Sequence, residues 1–131
     1  MIKKFDFSTN KKEEIVDITN EVEEVVESSD VKEGICLVLA LHTTAAILIG
    51  EGEEGLEDDM IKHLDHLKAS PPFKHAHNPD HAPSHVLSSF LGQEKVVPIE
   101  NGRLSLGTWQ RILFFELDGP RSGREVLVLT K

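Results

Sequence analysis

The residue types best suited to chemistry form a cluster of histidines in one short stretch of the chain. The cluster holds six of the seven histidines: His63, His66, His75, His77, His81 and His85. Imidazole titrates nearest neutral pH, and its neutral form is the commonest metal ligand in proteins. No spacing here matches a specific zinc motif such as HExxH. The cluster therefore suggests metal binding or proton transfer, whereas any one of these histidines taken alone is more simply an exposed loop residue.

Further candidates lie at the ends of two predicted strands. His42 follows a long apolar run and precedes Thr43, Thr44 and two alanines. A histidine at a strand end beside hydroxyl groups is well placed to line a pocket, and a hydrogen-bonded histidine at the edge of the core fits equally well. Glu51 stands between two glycines, which permit close approach of a ligand. Its simpler interpretation is a carboxylate in a surface turn.

The C-terminal third supplies the remaining candidates. Thr108, Trp109 and Gln110 offer a hydroxyl, an indole N–H and an amide at one turn, a set that could frame a polar ligand. The tryptophan could instead fill a sheet or subunit contact.

Glu116 lies in an apolar run, so if it is buried it needs a metal, a histidine or an arginine as partner. If strand alternation turns it outward, it needs none. Arg121 is a candidate anion ligand, although most arginines are simply on the surface.

Composition limits the classes of protein and partner. The chain has 131 residues and a net charge of −9, which predicts one domain, 1–131, and argues against nucleic acid as a partner. A few local arginines or a bound cation could still hold a small phosphorylated ligand. The single cysteine excludes an internal disulfide framework, and the absence of a long apolar run or a secretory signal predicts a cytoplasmic protein that does not contact membranes.

The pattern of elements predicts an α+β fold with largely antiparallel, sandwich-like sheets and about three helices. Strands are predicted at 2–8, near 14–16, and at 34–41, 45–49, 95–99, 103–106, 108–117 and 124–130. Helices are predicted from about 18 to 28, over 54–68 and over 84–90, with Asp17 and Ser84 as caps. His63 is expected at the buried edge of the second helix. The stretch 73–83 reads as loop, and Pro83 is expected to prevent a helix that includes both His81 and His85.

Several of these motifs together resemble the YjbQ-like family, whose members are also labelled secondary thiamine-phosphate synthases. The segment from His42-Thr-Thr-Ala to Glu51 is similar to that family's His-Thr-Ser-Ala motif. Ala82-Pro-Ser-His85 is similar to its Pro-Ser/Ala-His segment. Pro98 to Arg103 and Gly107-Thr-Trp-Gln110 resemble its C-terminal signature, and Glu116 with Asp118-Gly-Pro-Arg121 fits one of its variants. The resemblance covers essentially the whole chain.

The resemblance implies a homotrimer with a histidine-lined metal pocket near a subunit contact, most simply a zinc site. It implies His42, His75 and His85 as metal ligands and Glu51, Glu116 and Gln110 as catalytic groups. It also implies that Thr43, Thr44, Thr108, Trp109 and Arg121 bind the ligand. Asp59 and Asp80 match family positions as well, whereas His63, His66, His77 and His81 match none and are expected to have no role at the site.

The expected function is that of a metal-site enzyme acting on a small, phosphorylated molecule. The reaction that the resemblance implies joins a hydroxymethylpyrimidine diphosphate to a thiazole phosphate, and it could be a side activity. Two alternatives stay open: a non-catalytic homotrimer that binds a metal or small ligand, and a metal-dependent hydrolase.

Overall fold

Two antiparallel sheets form the framework of the computed structural model, which describes all residues from 1 to 131. The strands are β1 (Ile2–Phe7), β2 (Glu14–Asp17), β3 (Gly34–Ala40), β4 (Ala45–Glu51), β5 (Glu94–Glu100), β6 (Arg103–Leu104), β7 (Gln110–Glu116) and β8 (Arg124–Thr130). The larger sheet has the order β1-β8-β3-β5-β6, and the smaller has the order β2-β7-β4. The predicted α+β fold with largely antiparallel sheets is therefore confirmed.

Three helices cover the sheets: α1 (Thr19–Ser28), α2 (Leu56–Leu64) and α3 (Ala82–Leu91). The apolar stripe of α1 is buried against the main core through Val22, Val25 and Val26. Asp17 accepts hydrogen bonds from the N–H (3.0 Å) and hydroxyl (2.6 Å) of Thr19 and so supports the start of α1, but the cap residue is Ile18 and not Asp17 as predicted. No helix is long and apolar enough to cross a membrane.

The smaller sheet is buried on both faces. On β7, Ile112 and Phe114 point into the main core between the sheets, whereas Phe115 packs in a second cluster with Leu64 of α2 and Leu87 of α3. A strand with two covered faces can be apolar at successive positions, which explains the unbroken run Ile112–Phe115. It also places Glu116 in the inward row of Ile112 and Phe114, because successive side chains alternate between faces.

The segment before α3 differs from the prediction. A 3-10 turn, Pro79–His81, leads directly into α3 at Ala82, so His81 and His85 lie on nearly continuous helical structure. Pro83 is tolerated because it lies in the first turn of α3, where its missing N–H has no intrahelical acceptor to satisfy. Ser84 is not a cap: it lies within the helix, and its hydroxyl donates to the carbonyl of His81 at 2.8 Å.

Other boundaries differ by a few residues. The helix predicted over 54–68 ends at Leu64 and continues as a 3-10 turn, Asp65–Leu67. His63 is exposed rather than at a buried edge. The strand predicted from residue 108 begins at Gln110, because a turn closed by the bond from Gln110 N to Gly107 O (3.0 Å) precedes it. Cys36 is buried as a small apolar residue, and burial raises the pKa of its thiol to about 11.

Candidate functional site

A cleft of about 640 Å³ opens where four strands begin or end. The loop from β3 to β4 forms one wall, the loop from β7 to β8 forms a second, and the start of α3 forms a third. The lining is almost entirely polar: four histidines, hydroxyl groups, two arginines and a carboxylate. Its polar members are His42, Thr43, Thr44, His77, His81, His85, Asp118, Arg121, Ser122 and Arg124. Five of the residues predicted from the sequence therefore meet here: His42, Thr43, Thr44, His85 and Arg121.

The floor of this cleft is a buried ion pair between the two sheets. Glu116 ends the inward row of β7 and is 0% exposed, and Arg124 begins β8 with a side chain 5% exposed. Arg124 Nε donates to Glu116 Oε1 at 2.9 Å, and Nη2 donates to Glu116 Oε2. Thr9 donates to Glu116 Oε1 at 2.6 Å, and Thr44 Oγ1 accepts from Arg124 Nη2 at 2.9 Å. Burial alone would raise the pKa of Glu116, but the hydrogen bonds from Arg124 and Thr9 outweigh it and lower that pKa.

These bonds define what Glu116 can do. Both of its oxygens are occupied, since Oε2 also accepts from the backbone N–H of Asp118 at 3.3 Å. A carboxylate sealed from the cleft in this way does not contact a ligand as a general base would. In this arrangement Glu116 orients Arg124, the kind of partner that the sequence predicted for it if buried, and the catalytic role that the resemblance implies for Glu116 stays a prediction.

Asp118 joins the second cationic group of the cleft. Arg121 donates to its side chain (Nη2 to Oδ2, 3.0 Å) and to its carbonyl (Nε to O, 3.0 Å), and Lys12 donates to Oδ1. Nδ1 of His81 lies 3.3 Å from Oδ2. Burial favours the protonated acid, but the hydrogen bonds from Lys12 and Arg121 outweigh it and lower the pKa of Asp118. Asp118 is thus a carboxylate fixed between cations.

His42 lies at the rim with one ring nitrogen already bonded. Its Nε2 accepts a hydrogen bond from the backbone N–H of Glu125 at 2.7 Å. Partial burial and the charge of Arg124 lower the pKa of His42, so the ring is neutral at neutral pH and carries its hydrogen on Nδ1. To ligate a metal, His42 would have to release that bond or lose the Nδ1 proton.

His75 and His85, the other two ligands that the resemblance implies, lie side by side. Their ring centres are 4.7 Å apart and their planes are inclined by 37°. Two imidazoles on one tetrahedral zinc have ring centres roughly 5 Å apart, so this spacing suits a shared ion. The carbonyl of Asn78 lies 2.6 Å from His75 Nδ1. The backbone N–H of Asn78 also lies near this nitrogen, at 3.3 Å, but the shorter contact is to the carbonyl, which can only accept. The shorter contact favours the tautomer with hydrogen on Nδ1, which leaves the Nε2 lone pair free, as in metal-binding histidines.

The third implied ligand, His42, does not converge with His75 and His85 within one chain. No three His, Cys, Asp or Glu side chains converge closely enough to hold a metal ion. His85 lines the cleft with His42, whereas His75 is not among the residues that line it. The metal set His42, His75 and His85 therefore stays a prediction, with two members in contact and the third across the cleft.

The other predicted residues lie at the far end of the smaller sheet. Glu51 pairs with Gln110 in the β4–β7 ladder, and Glu51, Thr108 and Trp109 line a separate cleft of about 380 Å³. Ala45 and Glu51 are the two ends of β4, roughly 20 Å apart for a strand of that length. Glu51, Gln110, Thr108 and Trp109 therefore cannot reach the histidine cleft of their own chain.

Sequence reasoning missed the residues that build the cleft floor. No sequence pattern predicts a site role for Thr9, Asp118 or Arg124. The family resemblance predicts no role for His77 and His81, although both line the cleft. One signal was present: Arg124 is the only charged residue in the row that contains Val126 and Val128. A charged side chain among buried apolar residues needs an oppositely charged partner. Glu116 on β7 is also a charged side chain among buried apolar residues, so the two could have been predicted to pair.

Known proteins resemble this sequence over nearly its whole length. Residues 3–130 match the model of the family described as "UPF0047 protein YjbQ-like". A UPF0047 protein of Archaeoglobus fulgidus is 46% identical over 120 residues, which are 91% of this chain and 93% of that protein. The UPF0047 protein YugU of Bacillus subtilis is 38% identical over 126 residues, which are 93% of each chain.

Solved structures agree with these sequence matches. A YbjQ-like protein of unknown function from Sulfolobus solfataricus superposes with a TM-score of 0.94 at 42% identity, covering 99% of this chain and 95% of that one. A hypothetical protein from Aeropyrum pernix superposes with a TM-score of 0.92 at 37% identity, covering 100% and 98%. The family match spans the three sequence motifs and the whole cleft described above, and the chain therefore belongs to the YjbQ-like UPF0047 family.

Proposed function

We propose that this protein is a metal-assisted enzyme that binds a small phosphorylated molecule in the histidine cleft. The observation that carries the proposal is a local reversal of charge. The protein as a whole has a net charge of −9, yet the cleft presents Arg121, Arg124 and four imidazoles against the single carboxylate of Asp118. Cationic groups that converge in a cleft attract anionic ligands even when the rest of the surface repels them.

The reaction to test first is thiamine-phosphate formation, which suits such a site. A thiazole nitrogen forms a bond to the methylene carbon of the pyrimidine, and the diphosphate leaves with the electrons of the broken C–O bond. Charge therefore develops on the departing phosphate oxygens. Arg121, exposed at the rim of the cleft, can stabilise them.

The proposed metal is a divalent cation, with zinc preferred because its ligands here would be imidazoles. The adjacent rings of His75 and His85 and the free Nε2 of His75 support it. His42 would complete the set after giving up its bond to Glu125. When bound, the ion would add positive charge beside the leaving group.

We also propose a cytoplasmic homotrimer. The turn that carries Trp109 supports an assembly, because this indole is 73% exposed in one chain and large exposed aromatics are enriched at interfaces. In an assembly, Glu51, Gln110 and Thr108 of one subunit could approach the histidine cleft of another. Within one subunit they cannot.

A second candidate function is a trimer that binds a metal or phosphorylated ligand without catalysis. Both carboxylates at the cleft floor, Glu116 and Asp118, are held in ion pairs, so within one chain only imidazoles remain for proton transfer. This observation favours binding over a hydrolase that uses a carboxylate base.

The test is to assay pyrimidine diphosphate and thiazole phosphate with the zinc-loaded protein, detecting thiamine phosphate by mass spectrometry. His85→Ala is expected to lose most of the bound zinc and the turnover together. His66→Ala removes an exposed histidine that does not line the cleft and is expected to keep both. Zinc bound without turnover would favour the non-catalytic function, and zinc retained by His85→Ala would show that the ligand set is wrong.

A further inference from the structure

The cleft floor contains a cationic nitrogen that no group of the protein occupies. Arg124 bonds through Nε and Nη2 to Glu116 and Thr44. Its remaining nitrogen, Nη1, makes no hydrogen bond within the protein. It is not fully buried either, because the only fully buried side-chain atoms without a partner are Glu13 Oε2 and Thr130 Oγ1. Since the side chain is only 5% exposed and lines the cleft, Nη1 is the part of the guanidinium that opens into it.

The position of this nitrogen is fixed by its surroundings. A guanidinium is planar, so the bonds from Nε and Nη2 to Glu116 also set the direction of Nη1. Thr44 anchors the same plane from the β3–β4 loop. Donors held in place before a ligand arrives bind it more tightly than flexible ones, because no ordering cost is added on binding.

Other donors without a partner belong to residues that line the same cleft. Arg121, whose side chain is 48% exposed, bonds to Asp118 through Nε and Nη2 and leaves its own Nη1 free. The backbone N–H groups of Thr43, Ser122 and Gly123 make no hydrogen bond within the chain. Two loops thus bring free backbone donors to the rim of a cleft that has arginines on its floor and wall.

The charge at this place is positive overall. Three cations, Lys12, Arg121 and Arg124, stand against two carboxylates, Glu116 and Asp118. Both carboxylates use their oxygens on these cations and on Thr9, so neither presents a free oxygen to the Arg124 nitrogen. A dianion at the cleft floor would therefore meet donors rather than competing acceptors.

We infer that Arg124 Nη1, Arg121 and the N–H groups of the two loops form a subsite for the phosphoryl group of the ligand, independent of any metal. Arg124 is the ligand-contacting residue, and Glu116 is a positioning residue that acts through it. The tetrahedral oxyanion of a phosphate matches paired guanidinium donors. This inference rests on the proposed function, since it names the part of the cleft that recognises the phosphorylated substrate.

The test uses inorganic phosphate and the metal-free protein with chelator present. Amide chemical shifts are followed by NMR during the titration, and saturable changes are expected at Thr43, Thr44, Ser122 and Gly123. Arg121→Gln and Arg124→Lys are each expected to weaken phosphate binding roughly tenfold or more, as the loss of a charge-assisted hydrogen bond implies. Lysine keeps the charge beside Glu116 but has no second nitrogen to present to the cleft.

Arg103→Gln is the matched control, because it removes an exposed arginine at the β5–β6 hairpin and is expected to leave phosphate binding unchanged. If Arg124→Lys does not fold, the phosphate affinity of Arg121→Gln and the positions of the amides whose shifts change still test the subsite. Shift changes elsewhere, affinity unaffected by these variants, or phosphate binding only with zinc would overturn the inference.

The phosphate titration and the turnover assay together test the subsite and the proposed function separately. Phosphate binding that depends on both arginines, without turnover of the thiamine precursors, supports the subsite and contradicts the proposed reaction. Turnover that is unaffected by Arg121→Gln, in a protein whose metal-free form does not bind phosphate, contradicts the subsite and supports the reaction.

Discussion

Among single residues, Glu116 and Arg124 form the buried ion pair on which the cleft floor depends. A carboxylate in an apolar run must be paired if it is buried, so the sequence predicted a partner and named an arginine as one choice. It could not identify Arg124, because the pairing joins the end of β7 to the start of β8 across a loop whose path is set by tertiary contacts with Thr9 and Lys12. The same limit applies to His81, which lines the cleft from the 3-10 turn that leads into α3.

This ion pair should be costly to break from one side. Arg124→Met leaves the Glu116 carboxylate buried without its cation, so we expect the free energy of unfolding to fall by about 3–5 kcal/mol. Arg124→Met combined with Glu116→Gln removes both charges and should recover much of that loss. Urea denaturation of the two variants and of wild type measures the effect. Equal losses in the single and double variants would show that packing rather than charge dominates at this position.

The lowered pKa values of Glu116 and Asp118 set the sign of a pH effect. Hydrogen bonds to cations lower both pKa values in the folded protein, so on acidification the unfolded chain takes up protons first. The stabilisation is complete above the ordinary value of 4.5 for glutamate and is lost as pH falls through the folded pKa values. The free energy of unfolding should therefore decrease as the pH falls below about 5.

Asp118→Asn is expected to reduce the slope of that decrease, as measured by urea denaturation at each pH. Asp58→Asn alters an exposed carboxylate on α2 and serves as its control. A slope that is the same in Asp118→Asn as in wild type would rule out this carboxylate as a source of the pH dependence.

At the level of elements, the long strands and the hairpin were predictable, whereas the polar end of the sandwich was not. The alternation in β8 and the Asn101-Gly102 turn, with φ of 54° and 76°, are local signals, so the sequence located both. The boundaries of α2, β7 and α3 depend on contacts that the sequence does not display. The loop from β7 to β8 is the clearest example, because its path is fixed by Thr9 and Lys12 from a distant part of the chain.

Gly119 tests how tightly that loop is held. A Cβ atom built on Gly119 would lie 2.2 Å from the carbonyl oxygen of Lys11, which is backbone and cannot rotate away. We expect Gly119→Ala to lower the free energy of unfolding by about 1–3 kcal/mol, the usual cost of overpacking, and to weaken phosphate binding by displacing Arg121. Gly50→Ala is the control, since its Cβ would meet only a leucine methyl at 3.4 Å. Thermal unfolding that is unchanged in Gly119→Ala would show that the loop yields easily.

For the whole molecule, the predicted site residues lie in two separate clefts, so the proposed assembly would be needed to bring them together. The histidine cleft and the cleft of Trp109 lie at opposite ends of the smaller sheet, so a site that uses both requires contact between subunits. An alternative arrangement, in which the metal itself holds the subunits together, makes a different prediction. In that case the metal and the oligomer would be lost together.

Chelation distinguishes the two arrangements. We expect the zinc-loaded protein to have the mass of a trimer by light scattering and to keep that mass after chelation, while turnover is lost and returns when zinc is restored. The reason is that the proposed ligands His75 and His85 contact each other within one chain, so the ion need not bridge subunits. Trp109→Ala, which removes an indole that is 73% exposed, should instead weaken assembly, with Asp58→Asn as the control at an exposed polar residue of α2. Dissociation on chelation would contradict this prediction and assign the metal to the subunit contact.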